Sequence, residues 1–184
     1  MPQKTTFVVV RHGESDANQR GIISDKLVDH PLTEHGLRQA QNTAETLRDS
    51  QIDLIISSTR QRAKHTGEAI NAFHNVNMVF TDDLIERDYG IFSGISKSEA
   101  KTIMVADGFG WLEIPESETA EQLDTRVKRV VSEAIQKHAG KQILISTHED
   151  VIRSFFRVLA GKTESESASL TIENSKSNTF EITV

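Results

Sequence analysis

Four apolar runs in this chain lead to side chains that can do chemistry. The run at residues 6–10 finishes in Arg11-His12, and the run at 142–146 finishes in Thr147-His148. The run at 53–57 is followed by Ser58, Arg60 and Arg62, and a run at 76–80 leads through Leu84 to Glu86-Arg87-Asp88-Tyr89-Gly90. Each has strand length, and the first is β-branched or aromatic throughout. In open α/β sheets, chemistry gathers at the carboxyl ends of the strands. Parallel strands would bring these exits to one rim, carrying two histidines, at least two arginines and a glutamate. Core packing gives no reason for such a set. It suits an anion, and phosphate is the natural one, because the guanidinium fork matches its oxygens. Phosphoryl transfer needs charge stabilisation more than covalent help. Histidine offers a general base, an electrostatic donor or a nucleophile that accepts the phosphoryl group. A rim glutamate can protonate a leaving alkoxide and then take a proton from water.

The elements that must position these groups follow from pattern and punctuation. After Ser15, residues 16–30 read as a long polar loop. Thr33 caps a helix with Glu34 in its first turn, and Leu37, Ala40, Ala44 and Leu47 share its inner face. Residues 60–73 form the next helix, with Ala63, Thr66, Ala69 and Ile70 or Phe73 inward. Residues 82–94 are loop and 96–105 helix. Thr119 and Gln122 match a capping box. The helix that they open carries the stripe Leu123, Val127, Val130, Val131, Ala134 and Ile135, to about residue 138. Residues 150–159 form a helix stopped by Gly161. Residues 170–172 and 179–184 read as two final strands, paired antiparallel at an edge. Strands alternating with helices give a three-layer α/β/α fold: a mostly parallel central sheet, helices on both faces and an antiparallel edge strand. Residues 1–184 read as a single domain, with an insertion at about 82–118 that borders the site and lies over the sheet edge.

Composition sets outer bounds. The chain has 184 residues, enough for one sizeable core, with 26% charged and 36% hydrophobic residues. A net charge of -6 argues against non-specific nucleic-acid binding. With no cysteine there is no disulfide, thiolate zinc site or cysteine nucleophile. No stretch approaches the roughly 18 apolar residues of a membrane span, and residues 7–10 are too short for a signal-peptide core. A cytoplasmic location is expected, with no membrane or nucleic-acid partner. The oligomeric state is left open.

The motifs resemble those of the histidine phosphatase superfamily, which includes cofactor-dependent phosphoglycerate mutases and many small phosphatases. The resemblance rests on Arg11-His12-Gly13-Glu14-Ser15 with Asn18, and on Pro31-Leu32-Thr33-Glu34-His35-Gly36. It continues in Ser57-Ser58 with Arg62-Ala63 and Thr66, in Glu86-Arg87-Asp88-Tyr89-Gly90 and in Ser146-Thr147-His148. These occur in the family's order and span most of the chain. The resemblance implies that His12 is a nucleophile forming a phosphohistidine. Arg11, Arg62 and His148 would hold phosphoryl oxygens, and Glu86 would be proton donor and then base. Asn18 falls where the family keeps a phosphate-contacting asparagine. Ser24 in the following loop is assigned to substrate binding with it. Tyr89 and Lys97 fall where mutases contact substrate. The family uses no metal for this step, and no cofactor is expected. The implied partner is a small phosphorylated metabolite.

One position departs from the pattern. Where the family usually has glycine after its second histidine, this chain has Glu149, followed by Asp150. A carboxylate beside His148 is expected to raise that histidine's pKa, and its bulk to slow the reaction or narrow the substrate range. Residues 103–121 hold no Lys or Arg, so the arginine pair of the mutases is missing. The chain also ends soon after its last strand, without the tail that covers the mutase site. A mutase must shield its phosphohistidine from water, so hydrolysis is the favoured reading. The alternatives are mutase-type phosphotransfer, a non-catalytic phosphate-binding protein, and a metallohydrolase using His12, Glu14, His148, Glu149 and Asp150, which lack metal-ligand spacing. The insertion is expected to give one pocket wall, with Phe92, Ile95, Met104, Phe109 and Trp111 beside Lys97 and Lys101, or else to pack these apolar residues onto the domain.

Overall fold

The computed structural model describes residues 3–24, 28–107, 110 and 114–183. Five strands form one sheet in the order β3-β2-β4-β1-β5. They are β1 (Lys4–Arg11), β2 (Leu54–Ser58), β3 (Met78–Thr81), β4 (Gln142–Thr147) and β5 (Ser177–Thr183). β1 to β4 run parallel, and β5 pairs antiparallel with β1. The expected architecture is therefore observed. Period-two alternation divides the apolar residues of β1 between the two faces. Phe7 and Val9 pack with Leu123, Val127, Val130 and Val131 of α5 (Ala120–His138) and with Val151, Ile152 and Phe155 of α6 (Glu149–Ala160). Val8 and Val10 pack with Ala44 of α2 (Glu34–Thr46) and Ile70 of α3 (Gln61–His74). The chain visits β2 and β3 before returning to insert β4 between β2 and β1. β1 and β4 are thus neighbours at a topological switch point, where crevices form in such sheets.

Several local expectations need correction. Residues 16–30 are not all loop, because α1 (Asp16–Arg20) follows Ser15. A helix of five residues shows no apolar period; its signal is the cap, in which Ser15 accepts from the Asn18 amide and the Asn18 side chain accepts from the Ser15 amide. Leu37 is 46% exposed and Phe73 40% exposed, so neither faces the core. Residues 170–172 form no strand. There Leu170 donates its amide to the Ser167 carbonyl, while the Leu170 and Ile172 carbonyls accept from Arg153 and Arg11. The final strand pairs with β1 instead, and the short helix α7 (Glu164–Ala168) precedes it. Residues 82–118 include two short 3-10 turns and α4 (Lys97–Asp107). Their apolar side chains build a small cluster of their own, Phe92, Ala100 and Ile114 with Ile23. Phe92 is fully buried there, and Ile95 and Met104 pack against the cluster, so these residues fasten the segment rather than line a pocket. Phe109 and Trp111 lie outside the described residues. No helix is long and apolar enough to cross a membrane among the described residues.

Candidate active site

The exits of β1 and β4 meet in register. Arg11 pairs with Thr147, and the His12 amide donates to the Thr147 carbonyl at 2.9 Å. His12 and His148 therefore stand side by side, ring centroids 5.1 Å apart. β2 brings Ser58 to the same rim, and α3, starting directly after it, brings Arg62. A cavity of about 380 Å³ opens here, lined by Arg11, His12, Arg62 and Glu86, and by Asn18, Ser24, Tyr89 and Lys97. Eight of the nine expected site residues thus share one cavity. The ninth, His148, is fully buried, with its ring against that of His12. Of residues 90–118, Lys97 is the described one that reaches this cavity, so Lys101 does not form its wall.

The hydrogen bonds of His12 fix its chemistry. Its Nδ1 lies 2.6 Å from the Gly13 carbonyl, which can only accept, so Nδ1 carries the proton. Nε2 then holds a lone pair, and Arg62 Nε donates to it at 3.2 Å. Burial, followed by the charges of Arg62 and Arg11, pushes the His12 pKa well below the usual 6.5. A neutral imidazole with Nε2 unprotonated is the state that can attack phosphorus.

The residues about His12 carry unspent nitrogens. Arg11 Nε, Arg62 Nη1 and His148 Nδ1 are buried and lack a hydrogen-bond partner among the described residues. Buried donors without partners are rare in folded proteins. Three beside one histidine make a site ready for an anion. His148 is oriented by Ser58, whose Oγ lies 2.9 Å from Nε2. The Arg60 amide donates to the same oxygen, and with the Ser58 hydroxyl donating to His148 Nε2 the His148 proton sits on Nδ1. The expectation that Glu149 raises the His148 pKa is overturned. Burial leads, with Arg62, His12, Arg126 and Arg11 adding to it, and the pKa falls well below 6.5. The Glu149 carboxylate is turned away, 2.9 Å from Arg11 Nη2 and 2.7 Å from Arg153 Nη2.

Glu86 reaches the cavity from the segment after β3 and is only 7% exposed. Its Oε1 accepts from the amides of Arg87 (3.0 Å) and Asp150 (3.2 Å), and Oε2 from the amide of Glu149 (3.1 Å). Burial, reinforced by the Asp150 charge, raises its pKa to about 7. Such a carboxyl can hold or release a proton near neutrality. Tyr89 donates its hydroxyl to Asp150 at 2.9 Å, and burial and that carboxylate push its own pKa well up. Asn18 is anchored through Oδ1 by the Ser15 amide and hydroxyl. The Ser24 hydroxyl is buried without a partner among the described residues. Glu14 receives a hydrogen bond from Thr33, while Glu149 and Asp150 are engaged by Arg153. The carboxylates weighed as metal ligands thus have other partners.

The backbone support was not apparent from sequence. A Cβ on Gly13 would come within 2.3 Å of the Gly36 carbonyl oxygen, and one on Gly36 within 1.9 Å of the Glu14 carbonyl oxygen. This pair of glycines lets the His12 loop rest directly on the start of α2. The Gly13 amide donates to Thr66 Oγ1, and Asn174 Nδ2 donates to the His12 carbonyl at 2.8 Å. Ser175, held at φ 56°, donates its amide to the Arg11 carbonyl. The polar turn before β5 marks that segment only as a turn; nothing local says that it reaches back to His12.

Comparison with known proteins agrees with this geometry. Residues 7–183 match the family model described as the histidine phosphatase superfamily (branch 1). A protein named "Uncharacterized phosphatase PhoE" from Bacillus subtilis is 34% identical over 157 residues, covering 85% of this chain and 78% of its own. A 2,3-bisphosphoglycerate-dependent phosphoglycerate mutase from Thermoplasma acidophilum is 33% identical, covering 96% and 87%. Among solved structures, a mycobacterial glucosyl-3-phosphoglycerate phosphatase shares the fold with a TM-score of 0.87 at 21% identity, over 97% of this chain and 91% of that one. The switch-point crevice, the paired histidines and the match across nearly the whole chain have one explanation: the protein belongs to the histidine phosphatase superfamily, branch 1.

Proposed function

We propose that this protein hydrolyses small phosphomonoesters through a phosphohistidine on His12. Family membership and phosphatase-named relatives support a phosphoric monoester hydrolase. The observation that carries the mechanism is the His12 arrangement: Nδ1 locked on a carbonyl, Nε2 unprotonated, and three unpartnered donors beside it. In the first step Nε2 attacks phosphorus and the bond to the leaving oxygen breaks. Protonated Glu86 gives its proton to that oxygen, and the alcohol leaves. Arg11, Arg62 and His148 neutralise the equatorial oxygens as charge spreads onto them. In the second step the Glu86 carboxylate takes a proton from water. The resulting hydroxide attacks phosphorus, the P–N bond breaks, and His12 returns neutral with inorganic phosphate released. Asn18, Ser24, Tyr89 and Lys97 bind the substrate. The cavity is far larger than a phosphate group needs, which favours a metabolite-sized ester. A cytoplasmic setting suits such a substrate.

A panel of phosphate esters with inorganic phosphate as readout tests the reading. Turnover by the native protein and its loss by orders of magnitude in His12→Ala is expected. Full activity in that variant refutes it. The mutase relative motivates one further arm, 3-phosphoglycerate with a bisphosphoglycerate primer. Phosphate release outpacing isomer exchange is expected, and the reverse order would establish a mutase.

A further inference from the structure

Glu149 does more than occupy a position where the family usually has glycine. Its carboxylate bridges two guanidinium groups, Arg11 Nη2 at 2.9 Å and Arg153 Nη2 at 2.7 Å. Arg11 lines the cavity beside His12, and its other terminal nitrogen is spent on the Ile172 carbonyl. Arg11 Nε is left without a partner. Arg62, by contrast, carries no ion pair among the described residues; it donates to His12 and keeps Nη1 unspent. Of the two arginines that face the phosphoryl position, one already holds an anion.

Carboxylate and phosphate are recognised by the same planar fork. We propose that Glu149 is a built-in competitor for the phosphoryl group: it holds Arg11 when the site is empty, weakens the binding of phosphate, and reclaims Arg11 as phosphate leaves. The inference rests on the phosphatase reading and assigns Glu149 a role within it. The geometry gives the displaced carboxylate somewhere to go. Its second oxygen stays on Arg153, which is itself fixed by Asp150 at 2.6 Å. The Glu149 amide meanwhile donates to Glu86 at 3.1 Å, so the backbone need not move when the side chain swings. If the carboxylate stays, a full negative charge remains beside the incoming dianion. Either course penalises the phosphate-bound state. The penalty falls on substrate and on product phosphate alike, so it favours release of product.

Calorimetric titration of the intact protein with inorganic phosphate, alongside product inhibition of ester hydrolysis, tests this in Glu149→Gln and Glu149→Gly. Gln retains the size and the backbone hydrogen bond to Glu86 but removes the charge. Competition predicts that phosphate binds about tenfold tighter in both variants, the scale of losing one charge close to the ligand. Thermal melts confirm that both fold. Binding that is unchanged or weaker in both overturns the proposal, and weaker binding would show Glu149 merely positions Arg11. Tightening in Glu149→Gly alone also overturns it, since bulk rather than charge would then be responsible. A native protein that hydrolyses esters while the variants bind phosphate as it does sinks this proposal alone. Absence of both phosphate binding and turnover in all three proteins sinks the phosphatase reading with it.

Discussion

Replacing Glu86 by Gln gives a prediction in which stability and catalysis must move together. Burial and Asp150 raise the Glu86 pKa from an ordinary 4.5 to about 7. A carboxyl with a raised folded pKa binds its proton more readily in the folded state. Its contribution to stability is complete below pH 4.5 and is lost as pH rises through about 7. The shift corresponds to roughly 3 kcal/mol at about 1.4 kcal/mol per unit. By linkage, most of that falls between pH 5 and 8.5. The amide side chain of the Glu86→Gln variant cannot titrate, so that protein lacks this loss. The substitution does place an amide group against one of the three backbone N–H donors now pointing at the carboxylate. That mismatch costs about 1 kcal/mol or more, equally at every pH, and cancels in the comparison. His12 and His148 have depressed pKa values, so their contributions exist above 6.5 and fade as pH falls. They are common to both proteins. Denaturant unfolding at a series of pH values should show native stability falling relative to the variant by roughly 2 to 3 kcal/mol from pH 5 to 8.5. Over the same range native kcat/KM should decline above about pH 7 as the proton donor ionises. Parallel stability profiles for the two proteins would refute the reasoning, because Glu86 would then not be held protonated near neutrality.

Other substitutions probe the supports of the site. Arg62→Lys removes the fork that serves both His12 Nε2 and the phosphoryl position, and kcat/KM should fall about a hundredfold or more in the ester assay. Gly36→Ala puts a Cβ 1.9 Å from the Glu14 carbonyl oxygen. The backbone must shift, and unfolding measurements should show a loss of about 3 kcal/mol together with reduced activity. Asn174→Ala removes the donor to the His12 carbonyl. It should lower kcat roughly tenfold and stability by about 1 kcal/mol, with KM little changed.

The strands were legible because they are short, continuous apolar runs that end in polar groups. The helices at Thr33 and Thr119 were legible through their caps, and both hydroxyls do cap. The rim of histidines and arginines followed from assuming that the strands run parallel, which they do. What stayed hidden depends on contacts between distant parts of the chain. Ser58 orients His148 across 90 positions of sequence, and Asn174 reaches His12 across 162. Glu149 was identified as a departure, but its effect was read from proximity to His148 alone. The arginines flanking it, Arg11 and Arg153, decide where its charge goes. Residues 170–172 have strand-like composition, yet the carbonyls of Leu170 and Ile172 are taken by the side chains of those same two arginines.

The central claim is that His12 carries the phosphoryl group in a covalent intermediate. The direct measurement is rapid quenching during turnover of an ester, followed by intact mass analysis at high pH, where phosphohistidine survives. A single added phosphoryl group, mapped to His12 and absent from His12→Ala, is the predicted result, and its yield should rise in Glu86→Gln with an ester whose alcohol leaves without protonation. Steady turnover with no phosphorylated protein at any quench time, or a phosphoryl group on another residue, would contradict the account.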